Sequence, residues 1–175
     1  MSTHGLLTAA PAFALLLWAA IEDLRSRRIP NVLTFGGALA ALVFHTATAG
    51  SDGLLASLAG WGLGVVFFLL PFALGGLGGG DIKLLAALGA WLGPALTIWM
   101  AVYTGIAGGV LALVVALARG YLGQALANIR LLLTDRSVAG IRAVNEASLA
   151  DSRGPALAYA PPIFVGTVVT LWLHS

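Results

Sequence analysis

The feature that most constrains this chain is a succession of long apolar runs with almost no charge inside them. Leu6–Ile21, Val32–Ala49, Leu54–Leu74, Ala95–Ala118 and Leu157–Leu173 each approach the roughly 20 residues needed to cross a bilayer. Ile82–Gly93 is a shorter sixth run, stopped by Gly93-Pro94 and only about 18 Å long as a helix. A soluble domain carries about a quarter charged residues; here nine Lys/Arg and seven Asp/Glu are spread over 175 residues, 59% of which are hydrophobic. So few charges cannot cover a water-facing surface. That excludes a soluble enzyme, a disordered tail and a nucleic-acid module. The chain has no Cys, which removes disulfides, thiolate nucleophiles and Cys-ligated metal sites. The expectation is an all-α, polytopic membrane protein with about six transmembrane helices, forming one domain over residues 1–175.

The basic residues orient it. Arg25, Arg27 and Arg28 follow the first run, Lys83 follows the loop after the third, and Arg119, Arg130, Arg136, Arg142 and Arg153 lie between the fifth and sixth. With six crossings all nine fall on one side, which the positive-inside rule makes cytoplasmic. Both termini then face outward. Basic residues that follow the first apolar run, rather than precede it, also argue against a secretory signal. Between the last two runs, Tyr121–Leu133 has helical apolar spacing and reads as an amphipathic helix on the cytoplasmic membrane surface. Thr134–Arg153 reads as a polar connection. Scattered glycines, as in Gly60-x-Gly62-x-Gly64 and Gly105-x-x-Gly108-Gly109, imply close helix packing.

Acids near membrane depth are costly and therefore informative. Asp52, Asp135, Glu146 and Asp151 read as solvated loop residues. Glu22, Asp23 and Asp81 remain. Asp23 stands at the cytoplasmic end of the first run, and Asp81 opens the fourth after Gly78-Gly79-Gly80, so both lie at one depth on one face. Two carboxylates sharing a site resist ionising together. Such a pair can activate water as a base while the protonated partner donates to a carbonyl. The structural alternatives stay open: Asp81 is a natural N-cap, and Asp23 can pair with the neighbouring arginines. Gly75-Gly76-Leu77-Gly78-Gly79-Gly80 is too glycine-rich for a good helix. It offers a side-chain-free strip where an extended peptide backbone can approach Asp81.

These motifs resemble a known family. Gly78-Gly79-Gly80-Asp81 matches the G-x-G-D signature of intramembrane aspartyl proteases, and its continuation Ile82-Lys83-Leu84-Leu85-Ala86-Ala87-Leu88-Gly89 is similar to the type IV prepilin peptidase form. Asp23-Leu24-Arg25-x-Arg27-Arg28-Ile29-Pro30-Asn31 resembles that family's first aspartate motif, and Tyr159-Ala160-Pro161-Pro162 the start of its last helix. The resemblance implies an endopeptidase of the bacterial cytoplasmic membrane. It would remove a short basic leader from pilin-like precursors just before their apolar helix, at the cytoplasmic face. It implies Asp23 and Asp81 as the catalytic pair, Gly78, Gly79 and Gly80 as active-site backbone, and no metal or other cofactor. Its partners would be a prepilin and membrane lipid, with no nucleic acid. Larger members carry a cysteine-ligated zinc region associated with N-methylation. Here the second run starts almost directly after Arg28, so the likeness is to the compact tight-adherence (Flp) pilus peptidases.

The other polar residues take lesser roles in this reading. Lys83 does not share a helix face with Asp81 and reads as a snorkelling side chain, with an electrostatic influence on the acids as the alternative. The family pattern favours Asp23 over Glu22. Arg25, Arg27 and Arg28 read as topology determinants. His4, His45 and His174 lack metal-ligand spacing. A second class, a small transporter or channel subunit using the glycine break and the boundary acids, fits the same residues, as does a scaffold of a secretion or pilus machine.

Overall fold

The computed structural model describes residues 3–26, 28–73, 77–120, 122, 123, 127 and 159–174. Among them it forms four helices: α1 (Thr3–Ser26), α2 (Asn31–Ala73), α3 (Gly79–Ala118) and α4 (Ala160–His174). The surface helix expected over Tyr121–Leu133 lies, save for Leu122, Gly123 and Ala127, outside the described residues, as does the polar connection that follows it.

Four helical elements stand where six apolar runs suggested six separate spans. Single glycines account for the difference. Gly50 (φ 61°, ψ −139°) interrupts α2 and Gly93 (φ 73°, ψ 176°) interrupts α3, both in backbone regions that a side chain disfavours. Helical hydrogen bonding resumes at once on either side, so neither break leaves a loop. Thr46 and Thr48 donate to the carbonyls of Leu42 (2.6 Å) and Phe44 (2.9 Å) before the first break. Thr97 Oγ1 donates to the Gly93 carbonyl (2.6 Å) at the second, where Pro94 has no N–H to offer.

Contacts fix the direction of each arm. The first arm of α2 runs parallel to the first arm of α3, with Asn31 beside Lys83 and His45 beside Trp91. The second arm of α2 runs antiparallel to it: Ser57 Oγ donates to the Ala90 carbonyl (2.9 Å), Gly60 meets Gly89, and Gly64 meets Leu85. The α2 chain therefore reverses at Gly50. Gly60 and Gly64, four apart, let the two backbones touch, whereas Gly62 faces open space. On the second arm of α3, Gly108 receives Tyr159, and Thr104 packs on Gly166 of α4.

Leu84 through Leu92 are all buried, making the first arm of α3 the centre of the molecule. A helix apolar all round is buried either in protein or in lipid; here neighbouring helices cover it, which is why the fourth run can be short. Large apolar side chains instead face outward along the other helices, among them Val32 (85% exposed), Leu39, Leu55, Val66 and Leu70. The two long helices, α2 and α3, are long and apolar enough to cross a membrane.

Candidate active site

Pro30 sets one wall of the site. The residue before a proline avoids helical backbone, so α1 cannot run on into α2. Ser26 Oγ donates to the carbonyls of Glu22 (2.9 Å) and Arg28 (3.0 Å) as α1 closes. The N–H groups of Leu33 and Thr34 then donate to the Pro30 carbonyl (3.1 and 3.3 Å), opening α2. Asp23 sits half-buried in the last turn of α1, directly before this bend.

The start of α3 sets the opposite wall. Gly78 is the N-cap, Gly79 and Gly80 are the first two helical residues, and Asp81 is the third. The glycine strip is thus partly helical, which its composition did not suggest. Asp81 does serve the helix end, but from inside the first turn rather than from the cap position. Its Oδ2 accepts from the Gly78 N–H at 3.0 Å while its own N–H donates to the Gly78 carbonyl at 3.1 Å. That bond, together with the helix dipole, holds one oxygen of a carboxyl that is only 9% exposed.

The glycine spacing has a steric basis. A Cβ on Gly78 would lie 3.1 Å from Asp81 Oδ2, and one on Gly80 would lie 3.3 Å from the Ile29 Cβ. On Gly79 it would stand 3.9 Å from the Phe72 ring, an ordinary contact. The first and third glycines allow close approach, and the second has room.

The two walls enclose a cavity of about 430 Å³, open on one side. Asp23, Arg28, Ile29, Pro30 and Asn31 line it from the α1–α2 bend, and Gly78, Gly79, Gly80 and Asp81 from α3. The two acids singled out in the sequence therefore meet at one cavity. Glu22 does not join them; it borders a neighbouring apolar groove with Trp18 and Val32. Tyr159, just before α4, lies within electrostatic reach of Asp81.

Two features went unread in the sequence. Arg28, a topology determinant by sequence, also lines the cavity. Lys83 donates to Asn31 Oδ1 at 2.9 Å, with its Nζ 5.5 Å from the centroid of the Phe35 ring. Its place two residues from Asp81 gave no hint of a partner on another helix. Two histidines are engaged elsewhere: His45 Nε2 with the Trp91 carbonyl (3.1 Å), and His174 stacked on Trp99 (4.3 Å between centroids) and bonded to Tyr103. Among the described residues no group of His, Asp and Glu side chains is placed to hold a metal ion.

The cavity thus brings two carboxylates together between the ends of apolar helices. Comparison with protein families supplies the class. The model of the type IV leader peptidase family matches residues 11–113, a span that holds both acids and the whole cavity, and the chain belongs to that family. It is accordingly a peptidase, and with its two long apolar helices a membrane protein. No curated protein and no solved structure matches the chain.

Proposed function

We propose that this protein is a prepilin leader peptidase that works as an aspartyl endopeptidase. Asp23 and Asp81 are its catalytic pair. The observation that carries this reading is their meeting, from separate helices, at one cavity beside a side-chain-free backbone strip.

One carboxylate takes a proton from a water molecule, and the water oxygen attacks the scissile carbonyl. The other, protonated, carboxyl donates to the carbonyl oxygen as it gains charge. The tetrahedral intermediate then collapses. The C–N bond breaks, the amine leaves with the proton held by the first acid, and the second acid recovers its own. Gly78, Gly79 and Gly80 admit the extended substrate backbone, with Gly79 nearest to it because that position alone has room. Tyr159 adds a phenol donor near Asp81.

The protein acts in the bacterial cytoplasmic membrane, as one domain with the cavity at the cytoplasmic face and both termini outward. The arms of α2 and α3 on either side of Gly50 and Gly93 cross separately, which gives six crossings with α1 and α4. The substrate is a type IV prepilin of the tight-adherence (Flp) kind, cut without subsequent N-methylation.

Co-expression with such a prepilin in a host lacking pilins and their peptidases tests this. The expected result is a mobility shift equal to loss of the leader, with a newly exposed N-terminus at the start of the apolar helix. An unprocessed prepilin beside membrane-inserted enzyme would overturn the proposal.

A further inference from the structure

We propose that Lys83 and Asn31 form a positioning pair that fixes the spacing between the two walls of the cavity. This rests on the peptidase reading above. One wall comes from the α1–α2 bend and the other from the start of α3, so their separation sets how far Asp23 stands from Asp81. Nothing covalent joins them locally; the chain between Asn31 and Gly78 runs the length of α2 first.

Lys83 bridges this gap. It is two residues beyond Asp81, so its side chain leaves α3 on a different face from the carboxyl. It donates a hydrogen bond to Asn31 Oδ1 at 2.9 Å, and its ammonium lies 5.5 Å from the Phe35 ring centroid, within cation–π range. Asn31 and Phe35 are four apart on α2 and so share one face. One ammonium therefore grips α2 at two points over its first turn. Asn31 itself lines the cavity, which links the grip directly to the wall. A neutral acceptor suits this place, since a carboxylate there would add a further negative charge beside the catalytic pair.

The test uses the full-length enzyme in lipid vesicles, following leader removal from purified prepilin. Lys83→Met and Asn31→Leu are each expected to lower kcat about five- to tenfold, by misplacing the reacting groups by a fraction of an ångström, with KM held within about twofold. The double variant should fall no further than the weaker single one, because both remove the same contact. Lys83→Arg, which can still donate to Asn31 and lie over Phe35, should recover most of the rate. Independently of activity, spin labels at Val32→Cys and Gly79→Cys, in a chain with no native Cys, should show a broader distance distribution when Lys83→Met is added. Multiplying losses in the double variant, unchanged kcat, a loss confined to KM, or an unchanged distance distribution would each overturn the pair. If Lys83→Met does not fold, the exposed Asn31→Leu carries the same comparison. A parent enzyme that cleaves no prepilin would sink the peptidase reading instead, and the label distances would still decide the pair.

Discussion

Alanine placed in turn at Gly78, Gly79 and Gly80 separates steric fit from simple flexibility. None of the three has a positive φ, and Gly78 is extended (φ −80°, ψ 155°), so backbone strain does not enter. Inside a helix alanine is favoured over glycine by about 0.5–1 kcal/mol, which applies to Gly79 and Gly80, whereas at the N-cap Gly78 glycine is the better residue. Space then decides. At Gly78 the new methyl lies 3.1 Å from Asp81 Oδ2, and at Gly80 it lies 3.3 Å from the Ile29 Cβ, so a neighbour must give by a few tenths of an ångström. Ile29 Cβ is fixed to its backbone, so the whole α1–α2 bend moves. A 1 Å misplacement costs about 100-fold in rate; scaled down, a few tenths costs roughly three- to tenfold. Gly78→Ala and Gly80→Ala should therefore lower kcat by that factor with little change in KM. Gly79→Ala, with 3.9 Å to Phe72, should keep kcat within about twofold and place any cost in KM. Initial rates of leader removal at varied prepilin concentration, beside melting followed by Trp fluorescence, measure both. Equal kcat losses at all three positions would refute the steric account and leave flexibility as the role of the strip.

The packing makes further predictions. Gly60→Ala drives a methyl into the Gly89 carbonyl, and because backbone cannot yield cheaply it should destabilise by about 1–3 kcal/mol; Gly62→Ala, facing open space, should leave the melting temperature in detergent unchanged or raised. Gly50→Ala forces a side chain into φ 61°, ψ −139° and should cost about 1–3 kcal/mol, read as a lower melting temperature with kcat retained in the folded fraction. Gly108→Ala displaces the Tyr159 phenol and should lower cleavage several-fold, whereas Gly109→Ala, with nothing near it, should not.

Asp23 and Asp81 were legible in the sequence because acids are costly near a membrane and scarce in this chain. Their meeting at one cavity needed only that both helices end on the same side. Helix packing was legible at Gly60, Gly64 and Gly108, but the pattern did not tell them from Gly62, Gly105 and Gly109, which face open space. The helix count was not legible. The breaks themselves were legible at Gly50-Ser51-Asp52 and Gly93-Pro94, but helical backbone resumes directly after each positive-φ glycine, so α2 and α3 each form one element. The short fourth run was legible as short but not as buried, because periodicity cannot tell neighbouring helices from lipid when every face is apolar. Asp81 was placed at the cap by the glycines before it, yet two of them are helical and the cap is Gly78. Lys83 escaped because spacing rules describe one helix, and its partner lies on another.

The central claim is that Asp23 and Asp81 together carry the cleavage. Its most direct test compares Asp23→Asn, Asp81→Asn and Glu22→Gln in the same vesicles, each checked for membrane insertion. Both Asp→Asn variants should lose leader removal to the background rate, while Glu22→Gln, which lies outside the cavity, should keep it within about twofold, as expected of a residue away from the reacting atoms. Full cleavage by either Asp→Asn variant would contradict the account.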